Sequence, residues 1–236
     1  CDWRGIPEGG CYSWSDHGRV AARHRAQAEV SVPRKKNAWA RLVRAKIEGQ
    51  ASVLENLKIR GSGELLALAD QVRSGDPGNV EAQAARLYWS RTLGRGVGRQ
   101  PAAGQLIGAN ACLDYGYAVL RGHLMRAVLA AGLAPALGVF HRGRGNAFAL
   151  ADDLIEPFRP AIDEVALPLP ATASPSDREV KQLLVAAASQ RFDADGHGIP
   201  AVAEALAQSF GRYIEGDIDR LQVVSWQGPS RVGVGD

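Results

Sequence analysis

Residues 33–58 read PRKKNAWARLVRAKIEGQASVLENLK. Trp39, Leu42, Val43, Ile47, Leu54 and Leu57 recur at three- and four-residue spacing, the period of an amphipathic helix and not of a strand. Pro33 suits the first helical turn, where no backbone N–H is needed. The spacing predicts one long helix over this stretch. Its polar face carries Arg34, Lys35, Lys36, Arg41, Arg44 and Lys46, and such a charge run is as a rule a solvated face.

The rest of the chain follows the same rhythm. A shorter helix is predicted from Glu64 to Arg73, closed by the breaker Ser74-Gly75-Asp76-Pro77-Gly78. Asn79 then suits the N-cap of a helix from Val80 to Thr92. The Gly/Arg-rich loop GRGVGR follows with no strand before it, so it does not satisfy a nucleotide-loop fingerprint. Leu106 to Leu133 reads as an apolar helical region in two pieces, and residues 147–158 as another helix. Pro168, Pro170 and Pro175 mark a connection, with helices at 176–190 and 199–215 beyond it. Residues 1–16, rich in Gly, Trp and Cys, read as the end of a strand and a loop. The expected fold is mainly α: a multi-helix domain over 17–236, preceded by a β-rich remnant at 1–16.

Composition agrees. Of 236 residues, 46% are hydrophobic and only 6% aromatic, which is enough apolar material for a real core and leans towards helix. No apolar run approaches a membrane span. Cys1, Cys11 and Cys112 are odd in number and lack metal-ligand spacing, so they read as reduced thiols of a cytosolic protein. The net charge of +3 conceals an asymmetry: +6 over residues 1–60, +4 over 61–144 and −7 over 145–236. A basic segment of that size suits a polyanion, of which nucleic acid is the commonest.

Chemistry concentrates at 138–160, GVFHRGRGNAFALADDLIEPFRP. His141 is flanked by Arg142 and Arg144, and Asp152, Asp153 and Glu156 follow. Asp152 and Glu156 are four apart and share a helix face, while Asp153 falls on another. Hard carboxylate oxygens and an imidazole suit a metal that works on phosphate, and guanidinium groups would hold the phosphate itself. Glu81, in the first turn of its helix, is a third possible ligand, though acids favour that position for the helix dipole alone. Arg86, Arg91, Arg95 and Arg99 follow it, with Tyr88 and Trp89 between them, as a phosphate-facing strip. A second acidic stretch places Asp193, Asp195, His197, Gly198 and Glu204 in calcium-loop positions, but Pro200 interrupts the pattern. A polar hairpin turn fits it better.

Two separated stretches, GDPGNVEAQAARLYW and NACLDYGYAVLRGHLMRAVLAAGLAPALGVFHRGRGNAFALADDLIEPFRPAIDE, resemble the CRISPR-associated protein one family. The wording after His141 is most like the branch that accompanies a single-protein RNA-guided effector nuclease (type II). The resemblance implies a metal-dependent DNA endonuclease and integrase of prokaryotic cytoplasm, which captures DNA fragments and inserts them into a CRISPR array. It implies Glu81, His141 and Glu156 as catalytic ligands of Mg2+ or Mn2+. Asn110, Tyr115 and Tyr117 match a structural stretch of the family, with Asp114 where Asn is usual. The implied partners are double-stranded DNA, a second copy of the chain in a homodimer, a dimer of CRISPR-associated protein two, and the effector nuclease. Arg41, Arg44, Arg86, Arg142 and Arg144 are the expected DNA contacts. The family's small N-terminal β domain would be represented only by CDWRGIP. A non-catalytic DNA-binding scaffold and a related transposon integrase are the alternative readings.

Overall fold

The computed structural model describes residues 17–94, 99–100, 104–141 and 143–229. The expected β remnant at 1–16 therefore lies outside the described residues. Within them the chain forms α1 (Val20–Glu29), α2 (Val32–Asn56), α3 (Ser62–Gln71), α4 (Val80–Thr92), α5 (Gly108–Ala130), α6 (Ala149–Leu154), a 3-10 turn (Glu156–Phe158), α7 (Arg159–Ala166), α8 (Arg178–Ala187) and α9 (Ile199–Glu215). Among the described residues the one β feature is an antiparallel bridge between Arg191 and Gly198. The fold is mainly α, as expected.

The periodicity of 33–58 becomes α2. Ser31 Oγ accepts the Arg34 N–H at its start, and Trp39, Leu42, Val43, Ile47 and Leu54 are buried. α4 has the predicted bounds, but not the predicted cap. Asn79 adopts a left-handed conformation and makes no side-chain cap. Asp76 takes its place, its two carboxylate oxygens accepting the N–H groups of Val80 at 2.8 Å and Glu81 at 3.0 Å. An aspartate three residues before the usual cap position thus anchors the helix start.

Two other boundaries differ from expectation. The apolar region after Leu106 is one unbroken helix, α5, because each interior glycine costs a helix only about 1 kcal/mol and packing offsets that. The helix expected over 147–158 stops at Leu154. Pro157 lacks the N–H that would continue it, so the chain tightens into the 3-10 turn and restarts as α7.

α7 is the wedge of the structure. It packs on both long helices, α2 and α5, and on α8, with Ala161, Ile162, Asp163 and Ala166 buried. Two glycines let it in. A Cβ added at Gly49 of α2 would lie 2.8 Å from Pro160 Cγ, and one at Gly116 of α5 would lie 2.5 Å from Ile162 Cγ2. Gly116→Ala should therefore destabilise by about 1–3 kcal/mol through overpacking, despite alanine's better helix propensity. A urea midpoint equal to or above that of the parent would show that α7 can shift at no cost.

Candidate functional site

An open cleft of about 420 Å³ lies between α2, α4, α5 and α7. Its walls include Lys46, Trp89, Arg121, Asp152, Glu156 and Arg159. Three separate elements deliver the charges that meet at Lys46 on its wall. Glu81 projects from the first turn of α4, Glu156 opens the 3-10 turn, and Lys46 comes from the middle of α2. Lys46 Nζ lies 2.8 Å from Glu81 Oε1 and 2.7 Å from Glu156 Oε2, with the latter contact lacking hydrogen-bond alignment. Arg159 Nε donates to the other Glu156 oxygen at 2.9 Å. Burial alone would raise the Glu156 carboxyl, but Arg159 and Lys46 reverse that and bring it down to about 2. Burial alone would also lower the Lys46 ammonium, whereas Glu156 and Glu81 leave it above its ordinary value.

Lys46 was expected on the solvated face of α2, and this is corrected. It falls on the buried stripe through Trp39, Val43 and Gln50, at three- and four-residue steps, and it is only 14% exposed. The spacing itself carried that signal. A lysine and a glutamine inside an apolar stripe are groups that need buried partners.

His141 stands at the edge of the same region. Its Nδ1 lies 2.6 Å from Asp153 Oδ1, and its ring meets Trp39 edge to face at 6.1 Å. Asp153 is fully buried and also accepts the backbone N–H groups of Val139, Phe140 and His141. Gly138 permits this approach, since a Cβ there would lie 2.8 Å from Asp153 Oδ2. The hydrogen bond to Asp153 raises the imidazole pKa, burial opposes it, and the charges of Asp153, Glu156 and Asp152 add to the rise. With Nδ1 committed to Asp153, Nε2 is the ring atom left for a ligand or proton. Asp152, one residue away, has a different role. It pairs with Arg121, whose Nε and Nη2 reach it at 2.5 Å and 3.0 Å, and it accepts from Asn146 Nδ2 at 2.8 Å.

The floor of the cleft is a buried polar network. Tyr88 donates to Asp163 Oδ2 at 3.0 Å and Tyr117 donates to Oδ1. The Arg159 guanidinium sits 4.5 Å over the Tyr117 ring. Asn110 Oδ1 accepts from Arg99 Nη1 at 2.9 Å and from the Gln100 N–H at 3.2 Å, while Arg99 pairs with Asp114. Tyr115 is partly buried against the core. Asn110 and Tyr117 thus brace the cleft, and Tyr115 packs behind it. Burial pushes the Asp163 carboxyl up to about 6, against the pull of the two tyrosine donors and the arginines.

The sign of that shift gives a pH dependence. The folded state holds the Asp163 proton more tightly than the unfolded state, so this stabilisation is present below the ordinary carboxyl pKa and fades as pH rises through about 6. The stability difference between the parent and Asp163→Asn should be larger at pH 5 than at pH 7, by about 1–2 kcal/mol. Chemical denaturation at the two pH values checks it, and a constant difference would refute it.

The expected DNA contacts divide. Arg41, Arg86 and Arg144 are exposed. Arg44 is half-buried, with its guanidinium 3.5 Å from Asp70. Arg142 and Arg95 lie outside the described residues. Of the expected arginine strip, Arg91 reaches Glu64 at 3.3 Å and Arg99 turns into the cleft. Arg34, on the basic face of α2, donates instead to the carbonyls of Tyr213 and Ile218 and stacks on the Tyr213 ring, so its role is structural.

The structure does not close Glu81, His141 and Glu156 to ligand distance. Among the described residues, the group of three possible ligands within 4.8 Å of one another is Asp193, Asp195 and His197. It occupies the expected polar hairpin turn, where the Phe192 N–H donates to His197 O at 2.8 Å. His197 bonds Asp193 through both its N–H and Nδ1, each at 2.8 Å. The residues of the cleft nevertheless suit a divalent ion. Two carboxylates from different elements already hold one cation, the Lys46 ammonium, between them. Glu156 Oε2 accepts no aligned hydrogen bond, and His141 is held by a buried carboxylate in the way ligating histidines are.

Comparison with known proteins matches the chain to a family. The family described as CRISPR associated protein Cas1 matches residues 1–177. A curated CRISPR-associated endonuclease Cas1 from Neisseria meningitidis serogroup C is 41% identical over 164 residues, covering 69% of this chain and 53% of its own length. The chain thus spans about half the length of that relative. A casposase bound to integration product superposes with a TM-score of 0.74 at 18% identity, covering 97% of this chain and 73% of the other. A chain of a partial Cas6-RT-Cas1–Cas2 complex gives 0.75 at 16% identity, covering 95% and 79%. These structures share the fold, and the family match extends over most of the chain. The chain belongs to the CRISPR-associated protein Cas1 family.

Proposed function

We propose that this chain carries the helical catalytic part of a metal-dependent DNA endonuclease and integrase of CRISPR adaptation. The observation that carries this reading is the single cation, Lys46 Nζ, shared between Glu81 and Glu156 beside a histidine whose Nδ1 is tied to a buried aspartate. Glu81 and Glu156 would offer hard oxygen ligands and His141 its Nε2. Bound Mg2+ or Mn2+ would polarise the scissile phosphate and lower the pKa of the attacking hydroxyl.

The chain's own groups do the rest. Asp153 fixes the His141 ring. Arg159 holds Glu156 ionised and in place, and Arg121 holds Asp152 at the cleft wall. Arg144, Arg86 and Arg41 are exposed and would take phosphates, and Arg142 joins them by its place in the sequence. In integration the attacking group is the 3′-OH of a captured fragment, and in cleavage it is water. Binding through phosphates makes affinity fall steeply with salt. The chain would act as a homodimer on double-stranded DNA, with a dimer of CRISPR-associated protein two and the effector nuclease as partners.

The test is strand transfer of a labelled 3′-OH fragment into a plasmid carrying a repeat array, in Mn2+, with and without the partner protein. Product that vanishes in His141→Ala, at unchanged DNA affinity, is the expected result. Salt-sensitive DNA binding without product in the parent would leave a binding module and overturn the enzyme reading.

A further inference from the structure

Phe140 directly precedes His141 and presents an unusual surface. Its ring lies flat on Trp39, with centroids 4.3 Å apart and planes 4° from parallel. Trp39 is buried, yet Phe140 is 52% exposed. One face of the ring is therefore covered by indole and the other is open. The ring is also fixed from behind, because the Phe140 N–H donates to the buried Asp153 at 2.9 Å. Lys35 and Lys36 line the same small pocket, of about 220 Å³, with Trp39, Gly75 and Val139. Neither lysine has a carboxylate partner among the described residues.

A flat, rigid, half-covered aromatic ring costs little entropy to bury, and its open face is complementary to another flat ring. Two unpaired ammonium groups beside it call for anions. A nucleotide supplies both in one unit, a base to stack and a phosphate on either side. A folded protein partner would need roughly 800 Å² on each side, and one ring with two lysines falls far short of that. Resting on the reading of the chain as a DNA enzyme, we propose that the outer face of Phe140 is a stacking platform for one nucleobase, with Lys35 and Lys36 on the flanking phosphates. A base inside a duplex is covered on both faces and cannot reach the ring. The platform therefore selects DNA whose strand is unpaired beside the phosphate that enters the cleft, and it specifies by pairing state rather than by sequence.

The test uses the full chain in EDTA, so that no chemistry intervenes. The probes are a duplex with one unpaired terminal 2-aminopurine and a blunt duplex with the same label paired at an interior position, where both of its faces are covered. Binding is read by anisotropy and stacking by fluorescence. The parent should quench the unpaired label several-fold and prefer the unpaired end. Phe140→Leu should lose most of the quench and about tenfold of that preference, while keeping its affinity for the blunt duplex. Phe140→Trp should restore both. Lys35→Ala with Lys36→Ala should lower the salt slope by about 1–2. Binding without a quench in the parent, or an equal quench in Phe140→Leu, overturns the platform and leaves the DNA reading intact. No binding to either DNA by the parent overturns both. If Phe140→Leu instead shifts the sedimentation of the free protein, the ring belongs to a contact between copies and the platform is wrong.

Discussion

Replacing Glu156 by Gln should reduce DNA cleavage and strand transfer by at least about a thousandfold and also weaken the fold. Both effects follow from one carboxylate that the chain uses twice. As a proposed ligand it contributes negative charge where the reaction needs a cation. As a buried partner of Lys46 and Arg159 it neutralises two cations, and removing one member of a buried ion pair costs about 3–5 kcal/mol. Its pKa of about 2 makes that contribution full above the ordinary carboxyl range and lost only as pH falls towards about 2. The variant should therefore melt at lower temperature at neutral pH, with a flatter acid limb. Glu81→Gln separates the two roles, because Glu81 is more exposed and its loss should abolish activity at a smaller cost in stability. Near-parental strand transfer in both variants would sink the ligand assignment.

Lys46→Met should show the opposite balance. It leaves Glu81 and Glu156 facing each other without the ammonium between them, and stability should fall by about 3–5 kcal/mol in EDTA. Adding Mn2+ should raise the melting temperature of the variant by more than it raises that of the parent, because an ion entering between the carboxylates no longer competes with the lysine. Thermal melts of both proteins, with and without Mn2+, decide it. An equal or smaller Mn2+ response in the variant would mean that the ion binds elsewhere or that Lys46 helps to hold it.

The helical framework was legible because its signals are local. The apolar period of α2, the breaker at 74–78 and the prolines after α7 act within a few residues of themselves. The same locality hid the cap of α4, because Asp76 reaches across a turn that sequence spacing does not resolve. At the site, the family resemblance pointed to Glu81, His141 and Glu156, and the face assignment set Asp153 apart from Asp152. What Asp153 does was not readable, since three backbone N–H groups converge on it only after the chain bends at Val139 and Phe140. Asp163 was missed for a related reason. Its partners Tyr88 and Tyr117 come from two other helices, and nothing near residue 163 announces them. Lys46 is the instructive case, because its place on the apolar stripe was visible and only its charge argued for the surface.

The wedge formed by α7 bears on how the molecule opens. Arg159 and Asp163 lie on the helix that Gly49 and Gly116 admit between α2 and α5, and Glu156 sits one turn before it. No hinge separates Glu156, Arg159 and Asp163 from the core among the described residues. Local fluctuations that expose loops cannot release these side chains without parting both long helices, so the free energy of opening here approaches that of global unfolding. The amides of α7 should be among the last to exchange with deuterated solvent, and the cleft should lose its shape only when the whole molecule does.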